Sequence, residues 1–240
     1  MNDYLSEETP APRWPRHASP PLWLMAIAYT VLFLGGLYPV TAFGGKPNFP
    51  GPWESADTIA AFFRTRGTAV RLCAFLQFGA AIPLGIFAAS IASRLQFFGS
   101  RVAGVTIALF GGIATSVTMM AAAIALWVMA QPEVAENRAA IQVLYWVVQG
   151  LGGAGFSVPF GLMVAGATIP AAFMRLIPKW LVVLGIAVAT CGELSWLYLM
   201  FPAALPLVPL ARFPGFVWIV AMGVIMPASL ERSSSGSARK

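Results

Sequence analysis

PKWLVVLGIAVATCGELSWLYLMF, residues 178–201, is an apolar run interrupted by one carboxylate, Glu193. About 20 mostly apolar residues are enough to cross the hydrocarbon of a bilayer. An ionisable side chain within such a run is costly to bury in lipid, so it normally faces the interior of a helix bundle and has a partner there. The rest of the chain therefore reads as the housing of Glu193.

Composition supports a membrane setting for the whole chain. Of the 240 residues, 58% are hydrophobic and 10% are charged, against roughly 25% charged in an ordinary soluble domain. The mean hydropathy is +0.76. The net charge of +6 comes from basic residues that stand singly between apolar runs. They form no patch of the kind that binds nucleic acid. The excess of Lys and Arg in cytoplasmic membrane loops explains them more simply. Cys73 and Cys191 lie in apolar segments without C-x-x-C spacing and read as buried thiols. The single histidine, His17, leaves no side chains for a bis-histidine haem or a His-based zinc site, and no cofactor is expected.

Working outward from residues 178–201, the expected fold is all-α: a polytopic bundle of six transmembrane helices over residues 21–230. A polar, proline-rich tail at 1–20 reads as disordered, and a second polar tail occupies 231–240. The first apolar run, 21–43, is longer than the 7–15 residues of a signal-peptide core. The loop after it contains GGKPNFPGPWES, rich in turn residues. Ser55 then caps a short amphipathic helix, SADTIAAFFRTR, with Ile59, Phe62 and Phe63 on one face. Such a helix is expected to lie on the membrane interface.

The second span, 68–93, has Pro83 near its middle, where a bend is expected. The third covers 102–130. The fourth, 139–170, contains QGLGGAGFSVPFG, whose small residues allow close helix packing. FPAALPLVPLARFP at 201–214 has four prolines and cannot form a regular helix throughout. It reads either as an interfacial linker or as a broken start to the sixth span, which continues through 215–230. Arg13, Arg16, Arg94, Arg101, Arg175, Lys179, Arg232, Arg239 and Lys240 fall on one side of this topology. Lys46, Arg64, Arg66, Arg71, Arg138 and Arg212 fall on the other. The balance favours cytoplasmic termini.

Counting depth at 1.5 Å per residue suggests a polar constellation. Glu193 lies roughly 12 Å below Phe201, Gln149 roughly 12 Å below Ile141, and Gln77 roughly 9 Å below Arg71, all from the same surface. Gln142, Tyr145, Trp146, Gln149 and Gly153 share one helical face, as do Thr190, Glu193 and Trp196. Glu193, Gln77, Gln149, Trp146 and Trp196 are therefore expected to line one outward-facing cavity, with Arg71 or Arg212 as counter-ion. A carboxyl group trading protons in a polar niche is how proton-coupled carriers work.

The order of spans, the long first extramembrane loop and R-L-C-A-F-L-Q at 71–77 resemble the uncharacterised six-helix inner-membrane proteins of bacteria, a family of unknown function. The resemblance implies a multi-pass protein of the bacterial cytoplasmic membrane and carries no activity. No H-E-x-x-H, G-x-S-x-G or Walker motif occurs, so an enzyme is the weaker class. The leading expectation is a binding or transport protein for a small amphipathic or cationic ligand, or a lipid, with proton coupling through Glu193. The alternative is a non-catalytic membrane subunit or sensor that packs against lipid, a second copy of itself or a protein partner.

Overall fold

The computed structural model describes residues 17–229. Arg13, Arg16 and the expected C-terminal tail at 231–240 lie outside them. The described chain is helical throughout, without a strand: α1 (Leu22–Leu37), α2 (Ala56–Phe97), α3 (Ala103–Met129), α4 (Pro132–Ala135), α5 (Arg138–Gly152), α6 (Ala154–Phe173), α7 (Lys179–Leu194) and α8 (Leu207–Ile225). Short 3-10 turns at Tyr38–Val40, Ala42–Gly44, Ser195–Leu199 and Pro202–Ala204 fill several of the joints. Six stretches are long and apolar enough to cross a membrane: Leu22–Val40, Ala56–Phe97, Ala103–Met129, Arg138–Phe173, Lys179–Leu199 and Pro202–Ile225.

Local chemistry sets the ends. Ser55 accepts the Thr58 amide at 3.2 Å, and Asn137 accepts that of Ala140 at 3.1 Å. Both supply an acceptor to a first-turn N–H that has no helical partner. At the end of α6, Arg175 takes the left-handed conformation (φ 55°), and the Leu176 amide donates back to the Ala171 carbonyl at 2.9 Å. That is the chain reversal with which many helices close.

The spans form a closed ring in which α1 packs on α2, α2 on α3, α3 on α6, α6 on α7, α7 on α8 and α8 on α1. One large core, with Phe33, Leu84, Phe156, Phe160, Met163 and Phe216 among its members, draws on all six spans. A smaller core sits at the loop end, where Ile59, Phe62 and Phe63 meet Val70, Ile141 and Tyr145. Large apolar side chains also cover the outside: Phe75 is 73% exposed, Val183 69% and Phe173 86%.

Several expectations need correction. The amphipathic helix does not offer its apolar face to an interface. Phe62 and Phe63 are buried, with Phe49 in edge contact with both. It is also continuous with the second span: α2 breaks its helical dihedrals at Arg66 (φ −115°, ψ 20°), not at Pro83. The fourth span is two helices parted at Gly153 (φ −86°, ψ −106°). Residues 201–214 form the broken start, and α8 begins at Leu207 rather than Gly215. Pro209 is tolerated there because it falls in the first turn, where its missing N–H has no partner to lose. Finally, 17–20 is not a loose tail. The His17 ring lies 3.0 Å from the Ser93 hydroxyl, and its amide donates to the Ala228 carbonyl.

Candidate functional site

The break between α5 and α6 creates orphan backbone groups, and the site grows from how they are satisfied. Gln149 lies in the last turn of α5, which runs to Gly152. Its carbonyl accepts the Gly153 amide at 2.8 Å and the Tyr198 hydroxyl at 2.8 Å. The Ala154 amide, at the start of α6, points to the same phenol oxygen at 3.4 Å. Tyr198 thus bridges the two half-helices from the 3-10 turn that follows α7. Glycine is required at 153 because a Cβ would run into the Tyr198 hydroxyl.

The Gln149 side chain donates to the Tyr145 hydroxyl at 2.7 Å, and Tyr145 donates to the Pro50 carbonyl at 2.8 Å. The chain Gln149–Tyr145–Pro50 ties α5 to the first loop. Trp53 follows in that loop and is 78% exposed. Trp53, Trp146, Tyr198 and Leu199 form the walls of a cavity of about 670 Å³, with Gln149 and Gly150 at its polar edge. Mostly apolar walls with a few placed polar groups are what small-molecule sites commonly have.

Arg212, on α8, is not among the residues that line this cavity but meets the same helix break. Its guanidinium donates to the Gly152 carbonyl, the last residue of α5. It lies 4.5 Å from the Phe156 ring centroid and 5.5 Å from that of Phe33. A cation is well placed there, against the negative end of a helix and the faces of two rings.

The other expected site residues do not converge here. Glu193 packs where α7 meets α6: a Cβ on Gly161 would stand 3.1 Å from Oε1. That oxygen is buried and has no hydrogen-bond partner. Neither Arg71 nor Arg212 is its counter-ion, since the ion pair found among the described residues is Arg138–Asp57 at 3.2 Å. Gln77 is half-buried and lies against α1, its Cγ 3.3 Å from where a Cβ on Gly36 would be. Arg71 is exposed and lines a separate cavity beside the first loop. Trp196 faces outward, 54% exposed. Thr190, three residues before Glu193, is exposed as well, so the face these residues share turns outward rather than into the bundle.

Trp146 and Gln149 are therefore brought together, Arg212 meets the helix break at Gly152 without lining the cavity, and the remaining four are dispersed. Trp53 and Tyr198 are the residues that sequence reasoning missed. Depth counting applied to Tyr198 would have set it near the same surface as Trp146. Trp53 gives no such signal, because a turn-rich loop has no period to read. Among the described residues no three His, Cys, Asp or Glu side chains gather as a metal centre requires. No known protein family, curated protein or solved structure matches the chain.

Proposed function

We propose that this is a multi-pass protein of a bacterial cytoplasmic membrane, with both termini inside, that binds and carries a small amphipathic ligand. The six long apolar helices and the apolar exterior support the membrane setting. The observation that carries the functional reading is the aromatic-walled cavity over the broken helix, where Trp53, Trp146 and Tyr198 surround Gln149. Broken helices recur at the substrate sites of secondary transporters because their free ends supply oriented backbone groups.

No charged side chain lines the cavity, which favours an uncharged head on the ligand over a cationic one. Glu193 serves in this reading as a proton site one step removed. Tyr198 lies in the 3-10 turn that follows α7, five residues beyond Glu193, whose contact residue Gly161 lies two turns from Ala154 on α6.

The test is a thermal-shift screen of detergent-purified protein against fatty acids, lipids, amines and drug-like amphipaths. A ligand found this way should bind far less tightly to Trp146→Ala and Gln149→Leu. Equal binding to Trp146→Ala would move the ligand out of this cavity. In vesicles, Glu193→Gln should bind the ligand and lose the pH dependence of its uptake. An unchanged pH profile would remove the proton-coupling step.

A further inference from the structure

The opposite flank of the loop end carries a second site of different chemistry. A cavity of about 640 Å³ lies between the first loop, the kink of α2 and α4. Arg64, Arg66 and Arg71 line it, with Glu136 as the acidic member, so cations are in surplus. None of the three arginines is ion-paired among the described residues. Arg66 is held in place by the carbonyls of Pro39 and Gly44, at 2.7 and 2.9 Å, and its buried Nε has no partner. Arg71 is freer, with one long contact to the Thr68 hydroxyl at 3.4 Å.

Arg71 also heads a second, apolar cavity of about 370 Å³ that runs along the outside of α2 and α3. Ala74 and Ala123, both buried, make a shallow floor. Phe75, Phe78 and Trp127 stand exposed around it. From Arg71 to Phe78 the trough follows α2 for roughly 10 Å. A cationic pocket thus continues, through one shared arginine, into a trough of apolar side chains. That order of charge and grease is complementary to an anionic head joined to a hydrocarbon tail, and each half alone would leave the other unmatched.

We propose that this flank is a binding site for an anionic phospholipid, with its phosphate among Arg71, Arg64 and the free edge of Arg66, and one acyl chain in the α2–α3 trough. The site rests on the bilayer setting proposed above but not on the aromatic cavity. Recovery of the protein from carbonate-washed membranes checks that setting by itself.

The experiment is native mass spectrometry of the detergent-purified full chain, titrated with phosphatidylglycerol, phosphatidylcholine or inorganic phosphate. Phosphatidylglycerol should be retained in preference to phosphatidylcholine, and inorganic phosphate should compete with it poorly. Arg71→Ala, at an exposed position that leaves the fold intact, should weaken retention of phosphatidylglycerol about fivefold, as expected for one surface cation against an anionic lipid. Trp127→Ala should weaken it as well, while Trp146→Ala should not. Equal retention of the two lipids, or full retention by Arg71→Ala, would overturn the proposal. Displacement by inorganic phosphate at the same concentration as lipid would also overturn it, leaving an anion site without a tail.

Discussion

Replacing Gly111 by alanine should drive α3 and α6 apart where their backbones pack tightly. A Cβ at this position would stand 2.5 Å from both the Met163 amide nitrogen and the Pro159 carbonyl oxygen, where ordinary contact begins at 3.4 Å. Both obstacles are backbone, so neither can swing aside, and the helices must separate by about 0.9 Å. A gap of 0.5–1 Å already forfeits roughly a quarter to a half of each dispersion contact along the seam. Overpacking of this kind costs about 1–3 kcal/mol.

Gly79→Ala is the control, since a Cβ there meets nothing within 4 Å. Both glycines lie inside long helices, so the gain in helix propensity, about 1 kcal/mol, is common to the two variants and cancels in their comparison. The difference in unfolding free energy should then be the packing cost alone. At roughly 2–4 °C per kcal/mol for a chain of this size, thermal unfolding followed by circular dichroism in detergent resolves it. Gly111→Ala melting with or above Gly79→Ala would refute the tight seam. Gly166→Ala meets the Gly104 carbonyl at 2.5 Å on the same seam. The double variant with Gly111→Ala should therefore cost less than the two singles together, because one separation relieves both contacts.

Tyr198→Phe removes the hydroxyl that bridges the half-helices and should destabilise the protein by about 1–2 kcal/mol in chemical unfolding, the range for a lost hydrogen bond that strands a partly buried partner; full stability would show that the bridge is idle. Arg66→Met strands the carbonyls of Pro39 and Gly44 and should loosen the first loop by about 1–3 kcal/mol per stranded group, read as faster hydrogen exchange at 38–50 than in Arg64→Met. His17 is held below its ordinary value of 6.5 by burial and then by Arg94, so the folded state favours the neutral ring. Its stabilising contribution is present above that value and is lost as the pH falls through it toward the lowered folded value. A melting temperature that declines with acidification in this window, and declines less in His17→Gln, checks the sign.

The helices were legible because lipid-length apolar runs leave little choice, and the Ser55 cap was legible because serine before an amphipathic run has one main use. The break at Gly153 was not. In QGLGGAGFSVPFG the same glycines serve close packing and chain reversal, and the local sequence does not distinguish them. Gly161 does pack closely, since a Cβ there would stand 3.1 Å from the Glu193 amide nitrogen, whereas Gly153 clears the Tyr198 hydroxyl at a break. The stripe on α5 persists where the helix is regular, giving Trp146 and Gln149 their shared cavity. The stripe on α7 fails for another reason: Thr190 is exposed, so that face looks outward and Trp196 with it, which a repeat of three or four residues cannot reveal.

Placement of the charges follows a rule that a reading centred on carboxylates overlooks. Arg66 donates to the carbonyls of Pro39 and Gly44, which belong to the 3-10 turns after α1. Arg94 donates to the carbonyl of Met226, the residue closing α8, at 3.1 Å. Arg212 donates to the carbonyl of Gly152, the last residue of α5. Each of these arginines meets the end of a helical segment, where carbonyls lack intrahelical partners and the helix dipole is negative. Orphan carbonyls are present wherever a helix stops, and they answer a guanidinium without adding an acidic group that would itself need desolvation. Glu193 is consequently left with no cation to balance. A carboxyl group whose role was ion pairing would have drawn one of these arginines, and all three are engaged elsewhere. The lone acid of the fifth span is thus free of the structural duty that a salt bridge would impose, and that freedom is what makes Glu193→Gln the informative substitution for proton coupling.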